Sequence, residues 1–306
     1  MGQRRSRPVG KLFPLLLLWG VIFSTACDRR AAPTSAPVAS GFPMVVSLVP
    51  AATDLIVGMG AVNHLIGVSN YDLEPQVSQI RRVGDYLTTD WERIAELRPQ
   101  IIITQYAPGR TPTGFEEHCR EIGSRQENLH VDRLEDIFAT MARLGDICDE
   151  RQKAADALQR LRQQLQQVRD RASRLPPTPA LIAIDETGLN AAGPRTYLDD
   201  LLIIAGGKNV LGPASPSWPA IDRETLLTLS PQVIVQLLPY ASAQLLQEAA
   251  NAWRSQTYLP AVRNHRIIQI TDGTALVPGY HVGDLAEQFE QALHPAGNAT
   301  QPATMP

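Results

Sequence analysis

Glu92-Arg-Ile-Ala-Glu-Leu-Arg-Pro-Gln-Ile-Ile-Ile-Thr104 is echoed by Glu224-Thr-Leu-Leu-Thr-Leu-Ser-Pro-Gln-Val-Ile-Val-Gln236, at a constant offset of 132 residues. Glu92 matches Glu224, Leu97 matches Leu229, Pro99 matches Pro231 and Gln100 matches Gln232. Ile94 pairs with Leu226, and the run Ile101 to Ile103 pairs with Val233 to Val235. So wide a spacing is not a solenoid period. It implies one chain holding two versions of the same helix-to-strand unit, hence two related lobes. In each copy an acidic residue opens a short helix, where aligned peptide dipoles favour negative charge. Apolar residues follow at helical spacing. Proline then ends the helix by driving its predecessor out of the α region. The short β-branched run reads as a strand buried on both faces, as in a parallel sheet. Local chemistry offers the two glutamates a capping role. Thr89 stands three residues before Glu92, as in a capping box, and Asp222 is placed to cap the second helix.

Outward from the first copy, strands and helices alternate. Val45–Val49, Leu65–Val68, Ile101–Thr104 and Leu129–Val131 read as strands, with helices over Ala52–Met59 and Thr113–Ile122. From Asp132 the pattern is helical only. Asp132 and Glu135 form a capping signature, and Leu134, Ile137, Phe138, Met141 and Leu144 recur every three or four residues. After an interruption near Gly145–Asp149, Leu158, Leu161, Leu165 and Val168 make one stripe along a second helix that Pro176-Pro177 ends. That stripe suits a backbone helix joining two lobes; a coiled-coil dimer is the alternative. Strands at Ala180–Ile184 and Arg266–Ile270, and helices at Ala243–Arg254 and Val282–Leu293, frame the second copy. The pattern predicts an α/β chain with mainly parallel sheets. Its expected parts are an N-terminal lobe over 44–132, linking helices over 133–177, a C-terminal lobe over 178–294 and a polar tail over 295–306.

The first 27 residues read as a secretion signal. Arg4, Arg5, Arg7 and Lys11 precede or open the apolar run Leu12–Phe23, which is too short to span a membrane stably. Ser24-Thr25-Ala26-Cys27 then resembles a bacterial lipoprotein signal, with Cys27 carrying the lipid that tethers the chain to a membrane. Without lipidation, cleavage releases a soluble exported protein. Residues 28–43, rich in Ala, Pro and Ser, read as a flexible tether. Beyond the signal, 24 basic side chains face 31 acidic ones, and no basic stripe remains, which argues against a nucleic-acid partner. Cys119 and Cys148 either pair in an oxidising compartment or sit as small buried hydrophobes.

Enzyme signatures are missing from the sequence. Gly58-Met-Gly60 follows a helix where a dinucleotide fingerprint needs a strand, and there is neither a serine nucleophile elbow nor a His-Glu-x-x-His helix. Aromatic placement says more. Tyr71, Tyr106, Tyr240 and Tyr280 stand just past the carboxyl ends of strands, and Tyr86 and Trp218 lie in the loops leading into the two repeated helices. Ligands of open α/β sheets bind at that end. Stiff aromatic surfaces there suit a bulky, partly apolar guest.

Four segments carry a resemblance: Val46-Ser-Leu-Val-Pro-Ala-Ala-Thr-Asp54, Val83-Gly-Asp-Tyr86 with Trp91 to Pro99, Ala192-Gly-Pro194 with Leu198 to Val210, and Trp218-Pro-Ala-Ile-Asp-Arg-Glu224. In that order the chain from Val45 to His294 resembles the substrate-binding proteins of ABC importers for cobalamin and iron–siderophore complexes. The resemblance implies two Rossmann-like α/β lobes with mainly parallel sheets, joined by a long rigid backbone helix, with the ligand between them. It implies no catalysis and no resident cofactor, a monomer, and a partner in the importer's permease dimer with its ATPase. Glu92 and Glu224 match the pair that docks on that permease, one per lobe. Tyr71 and Trp218 look most like the cobalamin branch, while Tyr86 stands where that branch can have tryptophan. The expected ligand contacts are Tyr71, Tyr86, Tyr106 and Trp218, then Tyr240, Tyr280 and Arg195. His281 is a candidate to coordinate or hydrogen-bond a metal's open position. Arg110 and Arg195 are the thin support for an iron–siderophore instead, and haem is a further alternative within the same family. A metal chelatase-like or nucleotide-binding enzyme on the same sheet type is the alternative from another class.

Overall fold

Each copy of the repeated stretch forms a seven-residue helix followed by a strand, and the two are alike down to their caps. The side chain of Asp90 accepts from the Arg93 amide at 3.1 Å, and that of Asp222, 132 residues on, from the Thr225 amide at 2.7 Å. The first cap is therefore Asp90 and not Thr89, whose hydroxyl donates to the Asp85 carbonyl instead. Both helices close on a left-handed residue that is not glycine, Arg98 at φ 50° and Ser230 at φ 46°. Such a residue costs roughly 1–3 kcal/mol. Pro99 and Pro231 follow at once and turn the chain into its strand.

The computed structural model describes residues 43–295. Cys27, the tether and the tail beyond residue 295 lie outside the described residues. The first half runs β1 (Val45–Ser47), α1 (Pro50–Gly58), β2 (Leu65–Val68), β3 (Arg81–Arg82), α2 (Trp91–Leu97), β4 (Ile101–Thr104), α3 (Phe115–Glu121) and β5 (Arg125–Asn128). Two helices follow, α4 (Leu134–Ile147) and α5 (Arg151–Ala172). The second half runs β6 (Thr178–Ala183), α6 (Tyr197–Ile204), β7 (Gly207–Asn209), α7 (Arg223–Leu229) and β8 (Val233–Leu237). It closes with α8 (Ala243–Arg254), α9 (Pro260–Arg263), β9 (Ile267–Ile270) and α10 (Val282–Leu293).

All strands pair in parallel, in a sheet of order β3-β2-β1-β4-β5 and another of order β7-β6-β8-β9. The second sheet repeats the inner order of the first, with β6 in the place of β1 and β8 in that of β4. Only β3 has no counterpart. The strand expected at Leu129–Val131 lies earlier, because β4 pairs Ile101 with Arg125 and Thr104 with Asn128. As an edge strand made of Arg, Gln, Glu and Asn, β5 shows no apolar pattern. Pro50 begins α1 where a break was expected; a proline at the first helical position surrenders an amide that has no partner anyway.

The stripe residues of both linking helices are buried, apart from the half-buried Phe138. α4 packs on α1 of the first lobe and on α5, while α5 packs on α6 and α10 of the second. One continuous apolar core thus runs from Leu55 and Ile137 through Leu161 to Leu198 and Phe289. Each such side chain contributes about 1.5–3 kcal/mol when fully buried. With Leu158, Leu161, Leu165 and Val168 covered by the same chain, no stripe is left for a coiled-coil partner. The cap expected from Asp132 and Glu135 is made otherwise: the Asp136 carboxylate accepts from the amides of Asp132 and Arg133. Arg133 reaches over to Asp200 on α6, tying the linking helix to the second lobe. Cys119 and Cys148 are unpaired and buried, and burial pushes their thiols up to about 11 and about 12. Of the two readings left open by the sequence, the buried-thiol one holds.

Candidate functional site

The loops beyond the strand ends build the site. After β2 the Asp72 carboxylate folds back on its own turn, its Oδ2 accepting from the Ser69 amide at 2.7 Å and the Thr53 hydroxyl at 3.1 Å. This holds Tyr71 outward, 58% exposed. Past β3, the Asp85 carboxylate accepts from the amides of Leu87 and Thr88 at 2.8 and 2.9 Å, a side-chain-closed turn that presents Tyr86 to solvent. Gly84 makes it possible: at φ 89°, a Cβ there would sit 2.1 Å from the Thr88 carbonyl oxygen. Tyr106 lies below, 8% exposed, with its ring edge-on to Phe115 and its hydroxyl donating to the Tyr86 carbonyl at 3.1 Å. It supports Tyr86 and offers little surface of its own.

In the second lobe, Gly193 and Ala191 donate to the carbonyls of Ser217 and Pro219, pinning the chain on both sides of the exposed Trp218. Arg195 works on the same loop, donating to the carbonyls of Pro213 and Ser215 at 3.0 and 2.8 Å. Its guanidinium is thereby engaged in holding the loop. Tyr240 is 59% exposed and lies at φ 58°, with its ring over Gly273, where an added Cβ would come within 2.2 Å of Cζ. A tyrosine in the left-handed region is strained, and such strain collects at functional sites. Burial, Glu74, Asp272 and Asp72 all hold its phenol in the neutral form.

The lobes meet at Asp54 of α1, the one carboxylate of that helix and 1% exposed. Its Oδ2 accepts from the amides of Tyr280 and His281 at 2.5 and 3.3 Å, and its Oδ1 faces His281 Nδ1 at 2.5 Å. An anion thus sits at the N-terminus of α10, where the helix dipole favours it. Tyr280 lies over Gly58 of α1, where a Cβ would come within 2.2 Å of its ring. Tyr280 and His281 therefore join the two lobes. Hydrogen bonding to Asp54, opposed in part by burial, raises the imidazole to about 9, so it is charged at neutral pH and engaged with a carboxylate. A protonated imidazole has no lone pair for a metal. Among the described residues, no cluster of three or more His, Cys, Asp or Glu is placed to hold one.

The raised imidazole has a consequence for stability. A group near 6.5 when unfolded and about 9 when folded stabilises fully below the lower value and loses that contribution as pH rises through the upper one. His281 is about a third exposed, so solvent screening leaves about 2 kcal/mol. Urea unfolding between pH 7 and pH 10 should show that loss, and His281→Gln should remove it. An unchanged slope in the variant contradicts the assignment.

Glu92 and Glu224 occupy the first turns of α2 and α7 and are both exposed. Two nearby cations of the first copy are already paired, Arg81 with Glu96 at 2.6 Å and Arg93 with Asp90 at 3.1 Å. Capping falls to Asp90 and Asp222, so neither glutamate is needed for it. Among the described residues, no helix is long and apolar enough to cross a membrane.

Two parallel sheets of matching order, helix-linked and bearing exposed aromatics at their strand ends, define a two-lobed binding protein. Residues 45–274 match the profile of the periplasmic binding protein family, and the chain belongs to it. The protein is thus a substrate-binding protein of the extracytoplasmic class. The vitamin B12-binding protein of Photorhabdus laumondii is 25% identical over 222 residues, covering 72% of this chain and 79% of its own. The periplasmic vitamin B12 binding protein BtuF of Vibrio cholerae superposes with a TM-score of 0.67 at 24% identity, over 82% of this chain and 96% of its own. A periplasmic haem-binding protein from Pseudomonas aeruginosa gives 0.71 at 25% identity, over 84% and 94%.

Proposed function

We propose that this protein captures a metal chelate, a corrinoid such as cobalamin, between its lobes and delivers it to the permease of an ABC importer. The observation that carries the reading is the set of exposed aromatics, Tyr71 and Tyr86 from one lobe and Trp218 and Tyr240 from the other. Large faces held by Asp72, Asp85 and Arg195 suit a broad, partly apolar guest, since little side-chain freedom is lost on binding. The vitamin B12-binding relative supports the choice of guest. Glu92 and Glu224 then serve as the two docking contacts, one per lobe, on arginines of a two-fold symmetric permease. Cys27 carries the lipid that keeps the protein at the membrane. Haem is the second reading, favoured by the likeness to the Pseudomonas aeruginosa haem-binding protein.

Calorimetric titration of the mature protein with cyanocobalamin should give a dissociation constant near or below ~1 μM, about −8 kcal/mol. Failure of cyanocobalamin, haem and ferric siderophores alike to bind better than ~1 mM, about −4 kcal/mol, contradicts the reading.

A further inference from the structure

The turn that presents Tyr71 continues to Asp72 and Glu74, and both carboxyls are left incomplete. Asp72 is 0% exposed; its Oδ2 is satisfied, but its Oδ1 is buried without a partner. The Oε2 of the half-buried Glu74 is in the same state. Buried acceptors without donors are uncommon and costly, so each calls for an explanation. Burial is the main cause that raises both groups, Asp72 to about 7; Glu74 then adds to the rise in Asp72, and Asp54 to the rise in Glu74. From the other lobe, Tyr240 lies close enough for its phenol to feel Glu74, Asp272 and Asp72, and His281 close enough to act on Glu74.

Two cations are near enough to act on these carboxyls, Arg82 and His281. Arg82 donates to the Ser69 carbonyl at 3.3 Å, and His281 is bound to Asp54. At the junction of the lobes, beside the exposed Tyr71 and Tyr240, acceptors therefore outnumber donors.

We propose that Glu74, backed by the buried Asp72, is a specificity-determining contact that accepts hydrogen bonds from N–H or O–H donors on the edge of the guest and disfavours guests whose edge bears carboxylates. The proposal rests on the chelate reading and deepens it. A corrinoid carries amide side chains around its ring, and each amide N–H can donate to Glu74. Haem carries propionates, which bring no N–H donor to Glu74 and are repelled by its ionised form. Selection then comes from repulsion of the wrong guest as well as attraction of the right one.

The test measures dissociation constants of cyanocobalamin and of haem for the full mature protein, for Glu74→Gln and for Glu74→Lys. The wild type should prefer cyanocobalamin. Glu74→Lys should shift the ratio of the two constants toward haem by at least tenfold, and Glu74→Gln should shift it less in the same direction. Far-ultraviolet circular dichroism checks the fold, and if the lysine variant does not fold, the glutamine variant reads the same ratio. Equal changes in both constants, leaving the ratio within threefold of wild type, overturn the proposal while leaving the chelate reading standing. If the wild type binds neither ligand, the corrinoid and haem readings fall and this proposal with them.

Discussion

Asp54→Ala should cost about 3–5 kcal/mol of stability, since it breaks a hydrogen-bonded ion pair whose carboxylate is fully buried. In the native protein that carboxylate takes two backbone amides and the charged imidazole of His281, all from the far side of the lobe junction. Its removal leaves the amides of Tyr280 and His281 without acceptors and the imidazolium without its counter-charge. A chain of this size should lose roughly 10 °C in its melting midpoint. Asp54→Asn, which keeps one acceptor and the shape, should fall between the two. Proton NMR should at the same time show the His281 titration moving from about 9 toward its ordinary value. A loss under about 1 kcal/mol would mean that the junction is held by apolar packing alone.

The repeat was legible because each copy encodes a complete local instruction: acid, apolar spacing, proline, β-branched run. The long amphipathic helices were equally plain, and α8 and α10 fall on the bounds that their periodicity sets. Three of the four edge strands were not. β3 is two arginines, β7 is Gly-Lys-Asn, and β5 is polar, so each is defined by the neighbour it pairs with and carries no pattern of its own.

At the site, sequence reasoning found the aromatics through their position after strands. It could not separate Tyr106 and Tyr280, which face into packing, from Tyr71, Tyr86, Trp218 and Tyr240, which face out. That distinction is set by contacts such as Phe115 on Tyr106 and Gly58 under Tyr280. Asp54, Asp72 and Glu74 were missed altogether. Asp54 did leave a signal, a lone carboxylate in the apolar stretch Ala51 to Ile56. Its partners lie 226 and 227 residues away, so no local reading reaches them.

The proposed function requires two related lobes that hold a guest and offer one acidic contact each. Glu92 and Glu224 test this directly, because both are exposed and neither caps its helix. If the proposed docking holds, charge reversal, Glu92→Lys with Glu224→Lys, places cations against the permease arginines, and like charges brought together at an interface cost several kcal/mol. Uptake of labelled cyanocobalamin should be measured in cells carrying the double variant in place of the native chain, alongside the ligand affinity of the purified variant. The account predicts that uptake is lost while the affinity stays within twofold of wild type. Uptake at the native rate, or a parallel loss of affinity, would contradict it.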